Sequence, residues 1–201
     1  MDSRLFDAIL SGDITAFRSL LAEDPLILAR ISLNSTENPL HLSSLAGQLE
    51  ITREVASQKP AYIRELNQDG FSPIHIAASD GHAELVRELL RVGYEELVRA
   101  CPQSVKEVAT CGETVLHVAV KSNQVEIVKT IGLLIGQEAI AYGVEVNFIN
   151  ASRFTAKDAL DFILQSGDEY NGFSILEMFQ QAGAMKAMDI TTNRSCFELP
   201  S

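Results

Sequence analysis

Three histidines recur in this sequence at a spacing that could serve chemistry. His41, His75 and His117 lie 34 and 42 residues apart, and imidazole side chains are common metal ligands and general bases. Each of them, however, holds the fourth position of the same four-residue pattern. Ligands of one zinc ion must lie about 2 Å from it, whereas equivalent residues of neighbouring packed helices lie about 10 Å apart. We therefore expect structural histidines, with no metal site and no cofactor.

The pattern that carries the histidines predicts the start of a helix. Its copies are Asn38-Pro39-Leu40-His41, Ser72-Pro73-Ile74-His75, Thr114-Val115-Leu116-His117 and the degenerate Thr155-Ala156-Lys157-Asp158. The first residue of each copy has a hydroxyl or amide side chain that can cap backbone donors, and proline fits the first helical position. Residues that tolerate a left-handed backbone are expected to end the first helices, at Gly12, Gly47, Gly81 and Asn123.

A second amphipathic helix is predicted after each turn, and no single helix pair can bury its apolar face alone. The segment from Asp69 to His82, DGFSPIHIAASDGH, resembles the ankyrin repeat. The resemblance implies an all-α ankyrin-repeat helical solenoid of helix-turn-helix units with short hairpin loops, in which the patterned histidine holds its turn by hydrogen bonds. The expected array covers residues 1–185. It consists of an N-terminal cap at 3–34, repeats at 35–66, 67–108 and 109–149, and a degenerate C-terminal repeat at 150–185, followed by a frayed tail at 186–201.

Two further segments narrow the resemblance. They are Leu5-Phe6-Asp7-Ala8-Ile9 with Gly12-Asp13, and Val98-Arg99-Ala100-Cys101-Pro102 before Gly112-Glu113-Thr114. Both are similar to plant ankyrin proteins in which a cytoplasmic array precedes a membrane-spanning PGG domain, several of them linked to defence signalling. These 201 residues show no such module, so we expect a cytoplasmic location without direct membrane insertion. A truncated or alternatively processed product and a gene-model error both fit this departure.

The repeat spacing is irregular at residues 91–110 and 132–150. The segment Glu84-Leu85-Val86-Arg87 recurs only 12 residues later as Glu96-Leu97-Val98-Arg99. The residues after Gly81 form either one long helix or two pieces, and the breaks at Gly93 and Pro102 favour two pieces. If stacking failed at these irregular segments, apolar helix faces would be exposed and the chain would aggregate.

Lys157 departs from the pattern, because the other three copies have an apolar residue at its position. Burying an unpaired ammonium group is costly. Either this side chain reaches solvent beside Asp158 or Asp161, or the last repeat packs differently from the others. The amphipathic segments that follow Lys157 favour the first alternative.

Charge and cysteine content restrict the class of protein. A net charge of −11 and a pI near 4.8 argue against nucleic-acid binding, which needs a surplus of Lys and Arg. Three widely spaced cysteines without a secretory signal indicate reduced thiols in the cytosol. The sequence offers no arrangement of nucleophile, base and oxyanion donors that would motivate an enzyme. We expect a non-enzymatic protein, and the alternative of another class is a recruitment subunit of an enzyme complex.

What remains for function is the concave surface formed by hairpin tips and first helices, where such solenoids bind other proteins. The residues expected there are Glu37, Leu45, Gln68, Asp69, Phe71, Ser79, Asp80, Thr110, Cys111, Glu113, Lys121 and Ser122. Phe71 is either an interface anchor or packs against the neighbouring hairpin. Asp69, Asp80 and Glu113 predict an acidic groove and a protein partner with a basic segment. We expect a monomer that recruits this partner in plant defence-type signalling.

Overall fold

The computed structural model describes residues 3–32, 37–100, 112–131, 147–165 and 172–190. The chain divides into two compact units, Met1–Val105 and Lys106–Ser201, here called unit 1 and unit 2. Every regular element in the five described ranges is a helix, which confirms the predicted all-α class. In the same ranges, no helix is both long enough and apolar enough to cross a lipid bilayer.

The helices of unit 1 form two layers. They are α1 (Ser3–Ser11), α2 (Ile14–Glu23), α3 (Ile27–Ser32), α4 (Pro39–Leu45), α5 (Leu49–Gln58), a short 3-10 helix (Pro60–Ile63), α6 (Pro73–Ser79) and α7 (Ala83–Ala100). The first helices of successive repeats, α1, α4 and α6, pack side by side, and the second helices α2, α5 and α7 do the same. Each first helix also packs on the second helix of its own repeat.

Apolar residues at helical spacing fill the space between these layers. Leu5 and Ile9 of α1 and Ile51 of α5 are at most 1% exposed. Ala77 and Ala78 of α6 are fully buried, and their small side chains let α6 approach its neighbours closely. Each buried leucine or isoleucine stabilises the stack by about 1.5 to 3 kcal/mol relative to an exposed one. The core of unit 1 therefore lies between repeats as well as within them.

The predicted capping residues begin the first helices, with one difference. The Asn38 side chain accepts hydrogen bonds from two backbone N–H groups of α4, and Pro39 starts that helix. Pro73 likewise starts α6. Ser72, however, makes no side-chain bond to the backbone of α6, because its hydroxyl lies 2.7 Å from Nδ1 of His75. The hydroxyl is thus bonded to the imidazole rather than to the helix backbone.

The first helices end at residues with a left-handed backbone, as predicted. Gly12, Gly47 and Gly81 have φ angles of 73°, 69° and 83°, and Asn123 in unit 2 has a φ angle of 54°. Glycine has no Cβ to clash in this conformation, and asparagine tolerates it better than most residues. The chain reverses direction at these positions, so a second helix begins within a few residues.

The expectation of two helical pieces after α6 is wrong, because α7 continues without a break through Gly93 to Ala100. A glycine inside a helix costs only about 1 kcal/mol relative to alanine. Burial of Leu85 and Leu89 on the same helix outweighs that cost. Pro102, the second predicted break, lies outside the described residues.

Unit 2 is also built of helix pairs. Its helices are α8 (Val115–Lys121), α9, which includes residues 125–131, α10 (Ala156–Gln165) and α11 (Gly172–Gln181), and a further helical turn covers residues 187–190. α8 packs on α10, and α10 packs on α11. The irregular spacing predicted at 132–150 falls mostly on residues 132–146, which lie outside the described ranges.

The frayed tail expected from residue 186 needs correction at its start. The Ala187 N–H donates to Asp158 Oδ2 at 2.9 Å, and Lys186 Nζ pairs with Asp161 Oδ2 at 2.6 Å. These two contacts hold residues 186–190 against α10. Residues 191–201 lie outside the described part of the chain.

Lys157 has a different partner from the two carboxylates expected for it. Its side chain is half-buried, and its Nζ donates to the Ala184 carbonyl at 3.0 Å. Asp161 is bound by Lys186 instead. A carbonyl just beyond the end of a helix attracts a cation, so the segment after α11 satisfies this ammonium group without exposing it fully.

Candidate partner-binding surface

Two hairpins with the same internal hydrogen bonds precede α6 in unit 1 and α10 in unit 2. Asn67 Oδ1 accepts from the Phe71 N–H at 2.9 Å, and the Asn67 N–H donates to the Phe71 carbonyl at 2.9 Å. Asn150 and Phe154 make the same two bonds, also at 2.9 Å. An asparagine that bonds its own loop in this way restricts the conformations of the hairpin tip. Each unit thus presents a well-defined tip beside its first helix.

The two hairpins differ at the residue before the phenylalanine. Gly70 and Arg153 both have a left-handed backbone, with φ angles of 80° and 65°. A residue with a Cβ is disfavoured by about 1 kcal/mol or more in this conformation. The Arg153 hairpin is therefore strained relative to the Gly70 hairpin.

His41 joins the start of its own helix to the next hairpin. Its Nδ1 accepts from the Asn38 N–H at 3.2 Å, and its Nε2 lies 2.9 Å from the Glu65 carbonyl oxygen. Because a carbonyl oxygen can only accept, these contacts place the proton of the neutral ring on Nε2. Burial lowers the pKa of His41, although the nearby charge of Glu37 opposes this shift. The ring is therefore neutral at pH 7 and bound on both sides.

His117 repeats this geometry in unit 2. Its Nδ1 lies 2.8 Å from Thr114 Oγ1 and its Nε2 lies 3.0 Å from the Phe154 carbonyl oxygen, while burial lowers its pKa. His75 in unit 1 contacts the Ser72 hydroxyl. The three histidines thus make hydrogen bonds within the turns, which confirms their predicted structural role. Within the described ranges, no three metal-binding side chains are grouped closely enough to hold a metal ion.

Asp158 holds the histidine position in the last copy of the pattern, and its side chain makes its contacts as an acceptor alone. Its Oδ2 accepts from the N–H and the hydroxyl of Thr155 and from the Ala187 N–H, each at 2.9 Å. Burial would raise the pKa of this carboxyl, but the hydrogen bonds from Thr155 and Ala187 and the charge of Lys186 hold the pKa below its usual value. The carboxylate therefore joins its own helix start to the segment that follows α11.

A second kind of link joins neighbouring repeats of unit 1. Gln48 Nε2 donates to the Leu10 carbonyl at 3.2 Å, and His82 Nε2 lies 3.2 Å from the Leu45 carbonyl oxygen. Both side chains cover the glycine that ends the preceding first helix. A Cβ added to Gly47 would lie 2.6 Å from the His82 ring, so a larger residue would displace it. The ends of α1 and α4 are thereby fixed to the repeat that follows each of them.

Ion pairs connect the second helices of unit 1. Arg18 of α2 pairs with Glu54 of α5 at 2.9 Å, and Arg53 of α5 pairs with Glu88 of α7 at 3.3 Å. Arg91 approaches Glu88 from its own helix at 2.5 Å. Hydrogen bonds from Arg18 lower the pKa of Glu54. Such partly exposed pairs contribute at most about 1 kcal/mol each.

The expected partner-binding residues of unit 1 differ in their access to solvent. Leu45, Gln68, Asp69 and Asp80 are exposed, whereas Glu37, Phe71 and Ser79 are half-buried. Leu45 exposes 52% of its surface. Glu37 Oε1 accepts from Asn67 Nδ2 at 2.9 Å, so this carboxylate also supports the hairpin.

The Phe71 side chain contacts its own repeat. Its ring centroid lies 6.3 Å from that of His75, with the two planes tilted by 51°. Its backbone is held by both bonds from Asn67. These contacts hold the half-buried Phe71 against its own repeat.

In unit 2, the expected binding residues include a neutralised pair. Glu113 is only 8% exposed and forms an ion pair with Lys121. This carboxylate therefore adds little to an acidic groove, because its charge is balanced by its partner. Ser122 is half-buried. Thr110 and Cys111 lie outside the described residues.

Sequence reasoning missed the asparagines and the side chains that cover the glycines. Asn67 and Asn150 each stand four residues before a phenylalanine that directly precedes a capping residue. Gln48 and His82 each follow the glycine that ends a first helix. A position-by-position alignment of the repeat copies shows both signals.

Comparison with known proteins agrees with this arrangement of helices and turns. A family model for ankyrin repeats in three copies matches residues 5–100 and 59–147. Ankyrin repeat-containing protein BDA1 from Arabidopsis thaliana is 36% identical over 73 residues, which cover 36% of this chain and 17% of that protein. Protein ACCELERATED CELL DEATH 6, also from Arabidopsis thaliana, is 25% identical over 135 residues, covering 63% of this chain and 20% of that protein.

A third relative has an enzyme's name. The probable E3 ubiquitin-protein ligase XBOS31 from Oryza sativa subsp. japonica is 30% identical over 100 residues, covering 50% of this chain and 22% of that protein. The matched regions thus span about a fifth of the length of these curated relatives.

Proposed function

Because this chain belongs to the ankyrin-repeat family, we propose that it is a non-enzymatic module that recruits another protein through the hairpins and first helices of its repeats. Stacked helix pairs of this kind offer extended binding surfaces rather than catalytic clefts. Similarity to two Arabidopsis thaliana proteins, BDA1 and ACCELERATED CELL DEATH 6, supports a role in plant signalling of the defence type. Recruitment is the mechanism that we assign to it.

The observation that carries this proposal is that the side chains best suited to catalysis or metal binding are hydrogen-bonded at turns. His41, His117 and Asp158 each hold hydrogen bonds to their own helix start and to a following segment. Buried and bonded in this way, they stabilise a frame rather than act on a substrate. The frame presents exposed side chains such as Leu45 and Asp80, which suit recognition by shape and charge.

We assign the module a cytoplasmic location, a monomeric state and a protein partner with a basic segment. The net charge of −11 supports a basic partner, since complementary charges steer association. An alternative within binding is a truncated soluble form that competes with a full-length, membrane-anchored relative. Detection of both a short and a long transcript would support competition, and a single transcript would exclude it.

Affinity capture with matched variants tests the proposal. The full chain would be expressed with a tag in plant cells as the wild type, as Leu45→Ser with Asp80→Asn, and as Leu26→Ser with Glu84→Gln. Leu26 and Glu84 are also exposed but belong to neither a first helix nor a hairpin tip. We expect quantitative mass spectrometry to show proteins that the first variant loses and the second keeps. Equal recovery with both variants would contradict binding through this surface.

A second candidate function is the recruitment arm of an enzyme complex, which the similarity to the probable ligase XBOS31 favours. In that case the array would hold a substrate while another polypeptide or domain catalyses its modification. Ubiquitin ligase activity that copurifies with the chain, and that decreases in the Leu45→Ser and Asp80→Asn variant, would support this candidate. Catalysis by the purified 201-residue chain alone would contradict the non-enzymatic assignment.

A further inference from the structure

Two exposed leucines hold equivalent positions on neighbouring first helices of unit 1, α1 and α4. Leu10 exposes 40% of its surface and Leu45 exposes 52%, and each lies two residues before the glycine that ends its helix. Because α1 and α4 pack on each other, such equivalent positions lie about 8 to 10 Å apart. The two side chains therefore form a short apolar strip that runs across the helices.

The backbone beneath both leucines is fixed. The Leu10 carbonyl accepts from Gln48 and the Leu45 carbonyl is bonded by His82, so the following repeat holds the last turn of each helix. A surface that is already ordered loses little conformational entropy when a partner binds. The strip is thus preorganised for contact.

An exposed carboxylate neighbours each leucine. Asp7 is exposed and lies three residues before Leu10 in α1, so the two side chains share one side of that helix. Asp80 is exposed and directly follows Ser79, the residue of α6 that corresponds to Leu45. We call Asp7, Leu10, Leu45 and Asp80 together the leucine face.

The basic residues of the unit 1 helices lie mainly on the layer of second helices. Among the described side chains of α1, α4 and α6, Arg4 is the only Lys or Arg, and it pairs with Glu23 of α2 at 3.2 Å. Arg18 and Arg53 lie on α2 and α5, where carboxylates pair with them. The leucine face therefore combines an apolar strip with negative charge that its own helices do little to balance.

We propose that the leucine face binds a short basic segment of the partner protein, extended across α1, α4 and α6. Two apolar side chains of that segment contact Leu10 and Leu45, and a Lys or Arg side chain lies beside each of Asp7 and Asp80. This inference rests on the proposed function and adds the chemistry of the bound segment. Two helix spacings amount to about 20 Å, which an extended chain covers in about six residues.

The two kinds of contact have different effects. Apolar anchors at the centre of an interface supply most of the affinity, so loss of both leucines should weaken binding about tenfold. Exposed carboxylates mainly steer and orient a basic segment, so their contribution should decrease as salt screens them. Salt dependence therefore separates the role of the leucines from that of the carboxylates.

Selection from a display library of random peptides of about twelve residues, each long enough to cross the face, tests the inference. The bait is the full chain, and the variants are Leu10→Ser with Leu45→Ser, Asp7→Asn with Asp80→Asn, and the control Leu26→Ser with Glu84→Gln. Thermal unfolding by circular dichroism checks that each variant folds. We expect enriched peptides with a net positive charge and two apolar residues, whose fluorescence anisotropy reports about tenfold weaker binding to the leucine variant.

The carboxylate variant should bind these peptides about threefold to tenfold more weakly at low salt and nearly as well as the wild type at high salt. Enrichment of neutral or acidic peptides, or affinity that is unchanged in both surface variants, would overturn the inference. Either result can occur while the affinity capture described above still succeeds, which would leave the proposed function intact. Failure of both experiments would contradict the proposed function as well.

Discussion

The turns around His41 and Asp158 meet the same structural requirement with opposite hydrogen-bond polarity. Nε2 of His41 contacts the Glu65 carbonyl, just before the next hairpin, whereas Oδ2 of Asp158 accepts from the Ala187 N–H. Both side chains also accept from the backbone N–H at their own helix start. The difference teaches that this position requires a side chain able to join two turns. The group offered by the following segment decides whether that side chain donates or accepts.

The two turns also differ in burial and in the charges that surround them. The neutral His41 ring is buried at 1% exposure. Asp158 is half-buried and lies within the influence of the Lys186 charge, while Lys157 is bound to the Ala184 carbonyl. A charged side chain at this position is thus accompanied by donors and a cation, as its desolvation requires.

The largest effect is expected from removing the histidine link. His41→Ala leaves the Asn38 N–H and the Glu65 carbonyl without their buried partner, and each such loss costs about 1 to 3 kcal/mol. We expect the free energy of unfolding to fall by about 3 kcal/mol in urea denaturation followed by circular dichroism. Gln48→Ala, which removes a more exposed link, serves as the control and should cost about 1 kcal/mol. Equal losses for both variants would show that the histidine link is not special.

A smaller loss of folding stability should follow when Asp158, in the last copy of the four-residue pattern, is replaced by the histidine of the other copies. Asp158→His restores the repeat motif but places a ring N–H against either the Thr155 N–H or the Ala187 N–H, whichever tautomer forms. We expect destabilisation of about 2 kcal/mol by thermal or urea unfolding. Asp158→Asn retains one acceptor and should cost less. A more stable Asp158→His variant would contradict the polarity argument.

The two turns should lose their contributions to folding stability at different pH values. Burial lowers the pKa of His41 and His117 in the folded chain, so the unfolded chain binds protons first and stability decreases as pH falls below about 6.5. The pKa of Asp158 is also lowered, so its contribution persists until the pH falls below about 3.9. The loss near pH 5 should stay below that caused by His41→Ala.

Variants assign these two phases. In urea unfolding as a function of pH, His41→Gln should flatten the decrease between about pH 7 and 5, because glutamine does not titrate. Asp158→Asn should leave that decrease unchanged and reduce the loss at lower pH. A histidine variant that keeps the full slope would refute the assignment of the first phase.

The smallest expected effect concerns the hairpins beside these turns. Arg153→Gly relieves a left-handed backbone that Gly70 adopts without strain in the other hairpin. The gain is partly offset by the greater freedom of glycine in the unfolded chain, so we expect stabilisation of about 0.5 kcal/mol. The reverse change, Gly70→Ala, should destabilise by about 1 kcal/mol in the same thermal unfolding assay. Destabilisation by Arg153→Gly would show that the arginine side chain makes a compensating contact.

Local features of the fold were predictable from the sequence. The caps at Asn38 and Thr114 and the left-handed residues Gly47 and Asn123 follow from short-range backbone requirements that one repeat contains within itself. The phase of the histidines then indicated their structural role, since three residues at equivalent positions cannot converge on one ion.

Features that depend on neighbouring repeats were not predictable in the same way. The partner of Lys157 is a carbonyl 27 residues later, and no local pattern identifies it. The break predicted at Gly93 failed because packing of α7 outweighs a modest helix propensity cost.

The links that cover Gly12 and Gly47 have a mechanical consequence. Gln48 and His82 each reach only one repeat back, and the ion pairs of Arg18 and Arg53 also join adjacent helices. Interactions limited to nearest neighbours add along an array instead of acting across it. Under tension applied to its ends, unit 1 should lengthen in steps of one repeat, with a separate force for each detached link, rather than rupture in a single event.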